Sequence, residues 1–108
     1  MGYFQTYVDK SGSPRFKLKA GNHQVILASE GYSSTAARDN GIKSVQKNSG
    51  DEKRYEAKKA KNGEHYFVLK AGNGEVIGSS EMYTTIAACK KGMKSVMTNG
   101  SSTTIKAE

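Results

Sequence analysis

A chain of 108 residues with 35% hydrophobic and 25% charged side chains has the composition of a soluble globular protein with room for one modest core. Seventeen basic against ten acidic residues leave a net charge of +7, which favours salt-sensitive contact with anionic partners as well as solubility. There is no apolar run long enough for a transmembrane helix, the lone Cys89 excludes an internal disulfide, and the opening MGYFQTYVDK lacks a signal-peptide core, so a cytoplasmic location is expected.

Residues 3–10 alternate Phe4, Thr6 and Val8 with Tyr3, Gln5 and Tyr7, the period-two pattern of a strand. Gly12 and Pro14 mark a turn. Residues 15–20 alternate again, with Phe16, Leu18 and Ala20 on one side and Arg15, Lys17 and Lys19 on the other. A tight turn leads into a third strand, QVILAS. Its centre is either Gly21-Asn22 or Asn22-His23, and in both registers strand parity puts Phe16, Leu18, Val25 and Leu27 on the buried face and Ile26 on the far one. Ser33 or Ser34 caps a helix in which Ala37, Arg38, Gly41, Ile42 and Val45 share a narrow face. Gly41 costs about 1 kcal/mol relative to alanine inside a helix, which close helix-to-sheet approach would offset.

The same unit then returns. Residues 16–48 recur as 67–99 at a constant offset of 51 without a gap, and 18 of the 33 positions are identical. Repeat two predicts strands at 55–61, 64–71 and 75–80 and a helix at 84–98, with Asn73-Gly74 at the hairpin where repeat one has Asn22-His23. The segment STTIKA, 102–107, reads as a last strand. Each half alone is too small for a secure core, so residues 1–108 read as one domain of two repeats, 1–50 and 51–108, that complete each other. The expected fold class is α+β: a pseudo-twofold tandem repeat of a β3-αβ unit, one antiparallel sheet with two helices on one face.

The chain resembles the YegP-like proteins, whose repeat is a domain of unknown function. The resemblance rests on F-x-L-K-A-x-N-x-x-x-I at Phe16–Ile26 and Phe67–Ile77, on S-E-x-Y at Ser29–Tyr32 and Ser80–Tyr83, and on G-[IM]-K-S-V at Gly41–Val45 and Gly92–Val96. It implies two β3-αβ units sharing one sheet with their last strands exchanged. Residues 102–107 would then lie beside residues 3–9, and the stretch near 54–60 would serve as exit from one unit and entry to the other. The family supplies no established activity, substrate or catalytic residue. His23 departs from the usual turn glycine.

Residue chemistry points the same way. His23 and His65 have no Cys, Asp or Glu at metal-ligand spacing and read as surface residues, so no metal or cofactor is expected. Cys89 is matched by Arg38 in the other repeat, which reads as a partly exposed position without a catalytic base. Glu30 and Glu81 precede the helices, where a carboxylate gains from the helix dipole; paired with Tyr32 and Tyr83 they form the one recurring polar motif. The sheet face away from the helices is the remaining candidate, with Lys17, Lys19, Ile26, Tyr66, Val68, Lys70 and Ile77 as its expected residues. The sequence therefore reads as a non-enzymatic binding or structural module. A protein contact through that open face is the first reading, and weak, salt-sensitive nucleic-acid binding through its basic residues is the alternative. The chain is expected to be a monomer with internal pseudo-dimer symmetry and no membrane partner.

Overall fold

The computed structural model describes residues 2–108, and its elements follow the duplication. Strands β1 (Tyr3–Val8), β2 (Pro14–Lys19) and β3 (Val25–Ala28) precede helix α1 (Thr35–Asn48). A short 3-10 turn, Glu52–Arg54, leads to β4 (Tyr55–Lys59), β5 (His65–Lys70), β6 (Val76–Ser79), helix α2 (Ile86–Asn99) and β7 (Ile105–Ala107). All seven strands join one sheet in the order β4-β5-β6-β3-β2-β1-β7. Phe4, Phe16, Leu18, Leu27, Phe67 and Leu69 point to one side of it and form a single cluster with Ile42, Val45 and Val96 of the helices. Both helices therefore cover the same face.

The four hairpin turns share one geometry. In each, two backbone hydrogen bonds close the loop, as in Gly74 N–H to the Ala71 carbonyl (3.0 Å) and Ala71 N–H to the Glu75 carbonyl (2.8 Å). A left-handed residue completes the turn: Gly12 (φ 87°), Gly63 (φ 86°), Gly74 (φ 86°) and, alone with a side chain, His23 (φ 68°). His23 thus takes the glycine conformation at some steric cost, and the turn keeps its shape. Ser34 caps α1 by accepting from Ala37 N–H (3.1 Å), and Thr85 caps α2 by accepting from Ala88 N–H (3.0 Å).

Three expectations need correction. The sheet is mixed, because β7 lies parallel to β1 with Phe4 opposite Ile105 and Thr6 opposite Ala107. Among the described residues β4 pairs with β5 alone, so the 54–60 stretch has no second strand on its outer side. The third correction concerns parity. A bulge sets Leu18 opposite Leu27 but Lys19 opposite Val25, leaving Ile26 as the extra residue. The same irregularity between Leu69 and Lys70 makes Ile77 the extra residue of β6. An inserted residue breaks the alternation, so Ile26 and Ile77 turn toward the helices; they are 7% and 5% exposed and belong to the core cluster.

The two repeats meet at the Ala28–Ser79 pair of β3 and β6. Near this pseudo-twofold axis, equivalent residues touch each other and differ in size. A Cβ on Gly78 would lie 3.0 Å from Cγ of Leu27, its counterpart in repeat one. A Cβ on Gly100 would lie 2.4 Å from Cβ of Ser49, again its counterpart. One member of each pair must give way, and each time it is the glycine of repeat two.

Candidate functional site

The serine and tyrosine of the recurring S-E-x-Y motif serve the architecture, and Glu30 and Glu81 join it through their backbone carbonyls. Ser29 Oγ accepts from Phe16 N–H (2.9 Å) and donates to the Glu30 carbonyl (2.9 Å); Ser80 does the same for Phe67 N–H (2.9 Å) and the Glu81 carbonyl (2.8 Å). The tyrosines stack on core rings, Tyr32 on Phe16 (6.1 Å, 16°) and Tyr83 on Phe67 (6.4 Å, 11°). Their hydroxyls fill the space that the helical glycines leave open. A Cβ on Gly41 would stand 2.2 Å from the Tyr32 hydroxyl oxygen, and one on Gly92 would stand 2.3 Å from that of Tyr83. Burial, and to a lesser degree Glu30, raises the Tyr32 phenol pKa; burial, then Cys89 and Glu81, raises that of Tyr83. Each tyrosine locks a helix to its sheet.

Cys89 is 2% exposed, not partly exposed as its Arg38 counterpart suggested. The Arg38 side chain is itself largely covered, 15% exposed, and its guanidinium pairs with Asp39 (3.1 Å). Burial pushes the thiol pKa up, away from nucleophilic character. His23 accepts or donates at Nδ1 against the Tyr3 hydroxyl (2.9 Å) on the surface. His65 is held through its backbone by Tyr83 (2.8 and 2.7 Å). Among the described residues no three His, Cys, Asp or Glu side chains converge as a metal cluster would.

The open face carries the remaining chemistry. One register row crosses every strand: Glu56, Val68, Ser79, Ala28, Lys17, Gln5 and Lys106. Of the expected residues, Lys17, Lys19, Tyr66, Val68 and Lys70 lie on this face, although Val68 is only 5% exposed between its neighbours. Ile26 and Ile77 do not. Tyr3, Tyr7, Arg15, Lys58 and Lys106 join the face instead, opposite Lys19, Arg15, Tyr7, Tyr66 and Gln5 in turn. Strand alternation in 3–10 and 15–20 already separated Tyr3, Tyr7 and Arg15 from the core residues, and the placement of 102–107 beside β1 brings Lys106 to them.

The basic residues concentrate at the β2-β1-β7 end. The Lys17 ammonium sits 4.7 Å over the Tyr7 ring and that of Lys106 sits 4.5 Å over the Tyr3 ring. Arg15 is paired with Asp9, whose carboxyl is held well below the usual range by the Ser11 hydroxyl, the Ser13 backbone and Arg15. At the other end Lys70 Nζ is 2.6 Å from Glu56, which lowers the Glu56 carboxyl pKa. Lys17, Lys19 and Lys106 form no ion pair among the described residues, so their charge is not neutralised by a carboxylate there.

Fold and motifs together define a tandem α+β repeat protein with two copies of one small domain. The family model for the domain of unknown function DUF1508 matches twice, over residues 9–56 and 60–106. The chain is 53% identical over 106 residues to UPF0339 protein MS1092 of Mannheimia succiniciproducens, covering 98% of this chain and 94% of that one. It is 48% identical over 105 residues to UPF0339 protein YegP of Escherichia coli K12, covering 97% and 96%. The solution NMR structure of Escherichia coli yegP, described as a protein of unknown function, is similar with a TM-score of 0.94 at 47% identity, over 99% of this chain and 92% of that one. That of UPF0339 protein SO3888 from Shewanella oneidensis gives 0.92 at 48%, over 98% and 90%. The chain belongs to the YegP-like UPF0339 family, built from two DUF1508 repeats.

Proposed function

We propose that the protein is a binding module for single-stranded nucleic acid, acting through the open sheet face of repeat one. The observation that supports it is the cluster of Arg15, Lys17, Lys19 and Lys106 interleaved with Tyr3 and Tyr7 on one side of adjacent strands. Lysines attract phosphates, and the Tyr7 and Tyr3 rings, covered by Lys17 and Lys106 in the free protein, give bases a surface to stack on once those ammoniums turn to phosphate, a combination tolerant of sequence. A rigid sheet holds these groups in a fixed array at little entropic cost on binding. A protein contact through this face, the first reading of the sequence, counted Ile26 and Ile77 among its basic, aromatic and aliphatic residues. With both turned to the helices, the face offers a partner charge and rings rather than an aliphatic patch.

Fluorescence anisotropy with labelled oligothymidylate and a duplex, across salt, tests the reading. If about four phosphates are neutralised, affinity for the single strand should fall about fiftyfold between about 50 and 200 mM salt. Lys17→Glu with Lys19→Glu should remove binding without shifting the melting midpoint. Absent binding at low salt, or binding indifferent to the charge reversal, contradicts the proposal.

A further inference from the structure

The outer strand of repeat one is covered, and among the described residues that of repeat two is not. On β1, Phe4 N–H donates to the Thr104 carbonyl (2.9 Å) and Glu108 N–H donates to the Thr6 carbonyl (2.9 Å), so both residues turn their backbone groups outward to β7. Their equivalents are Tyr55 and Ala57 of β4. They keep the same register against β5, Tyr55 opposite Leu69 as Phe4 is opposite Leu18, so their backbone groups also point away from the sheet. The 3-10 turn takes only the first of these groups, Tyr55 N–H, which donates to the Glu52 carbonyl. The Tyr55 carbonyl and both backbone groups of Ala57 lie beyond it on the edge, where no strand pairs among the described residues.

Beside this edge, on the helix side, Ala57, His65, Ile86, Cys89, Lys90 and Met93 line an apolar notch of about 80 Å³. In repeat one the matching place holds Arg38 together with Ala107 and Glu108 at the end of β7. Ile86 stands at the rim of the notch, 58% exposed. The charges around the edge are mostly basic: Lys58, Lys59, Lys90 and Lys94 are exposed, Glu56 is taken by Lys70, and Glu52, beside Lys90 and Met93, is the acidic exception.

We propose that the β4 edge receives an extended acidic segment of another protein, which adds parallel to β4 as an eighth strand, as β7 does on β1. A small or aliphatic residue beside Ala57 enters the notch, and acidic flanks meet Lys58, Lys59 and Lys90. Backbone hydrogen bonds supply the affinity and the notch supplies the selection. Lysines on an open edge oppose pairing with a second basic copy of this chain, and the same charges attract a strand of opposite sign. This surface is independent of the lysine–tyrosine face.

The test is a titration of the ¹⁵N-labelled full chain with an acetylated heptapeptide that has isoleucine and alanine two residues apart and glutamate elsewhere. Amide shifts should change at residues 55–59 and 86–93, and hydrogen exchange of the Ala57 amide should slow. Ala57→Pro, which removes an outward N–H that the sheet does not use, should weaken binding by about tenfold or more. Ile86→Glu is a second variant at an exposed helix position that does not disturb the strand, and it should weaken binding similarly. Shift changes at Tyr3, Lys17 and Lys19 instead, an unresponsive edge, or a concentration-dependent dimer through β4 would each overturn the proposal.

Discussion

Repeat one and repeat two are the same frame with different surfaces. Where they face the helices they agree: Phe16 and Phe67, Leu18 and Leu69, Tyr32 over Gly41 and Tyr83 over Gly92, Val45 and Val96. Along the axis between them they are complementary, Leu27 against Gly78 and Ser49 against Gly100. On the open face they part. Lys17 is matched by Val68, Arg15 by Tyr66, and Tyr3 and Tyr7 by Arg54 and Lys58. Residues that set the packing of a repeat stay fixed because both copies need the same core. Residues at the axis differ because two identical side chains would collide there. The open face is under neither constraint, and it is there that one half gathers the basic and aromatic residues.

The comparison breaks most severely if the halves are separated. Residues 1–50 alone lack β7, and a symmetric dimer of them would set Leu27 against Leu27 and Ser49 against Ser49 in the space now shared with glycine. The expected result is an unfolded chain by circular dichroism and light scattering, and a folded symmetric dimer would contradict the axis account. Next come the shared core positions. Leu18→Ala and Leu69→Ala should each cost about 2–5 kcal/mol, and Ile26→Ser and Ile77→Ser should fall in the same range because the bulges bury them. Denaturation midpoints decide this, and near-neutral isoleucine variants would put those residues back on the open face.

A smaller effect sharpens the axis claim. Gly100→Ala should cost about 1–3 kcal/mol through its collisions with Ser49 and the Val96 carbonyl, and adding Ser49→Gly should restore part of the loss. The smallest effect concerns a feature of repeat one only, since Ala60 stands where Asp9 would be. The Asp9 carboxyl pKa lies below its ordinary 3.8 in the folded chain, so its contribution is present above about pH 4 and is lost as the pH falls below that. Asp9→Asn should therefore melt lower than the parent at neutral pH, with the gap narrowing between pH 5 and pH 2. A gap that stays constant would mean the carboxylate charge has no part in it.

Much of this frame is legible in the sequence, because period-two alternation and the 51-residue offset reflect burial directly. The strands and both helices follow from them, with the strand ends a few residues shorter than expected; the place of the last strand beside β1 is implied only by the family resemblance. What escapes is whatever depends on contact between the repeats. Parity placed Ile26 and Ile77 on the open face because a bulge leaves no mark in the alternation. The loss of an outer partner for β4 follows from the chain running straight from α1 into repeat two. Cys89 looked exposed because a cation at the equivalent position suggested solvent, but Arg38 is itself largely covered and paired with Asp39. Of the candidate face, the lysines were visible singly. Lys17 and Lys19 meet Tyr3 and Tyr7 through the β1–β2 hairpin, and only Lys106 needed the pairing of β7 with β1.

The central claim is that the open face of repeat one, and not that of repeat two, binds single-stranded nucleic acid. The most direct measurement is a map of backbone and tyrosine ring shifts in the full chain during titration with oligothymidylate at low salt. The account predicts changes at Tyr3, Tyr7, Arg15, Lys17, Lys19 and Lys106 that vanish as salt is raised, while Val68, Tyr66 and the helices stay still. Changes centred on repeat two or on the helices, or none at low salt, would contradict it.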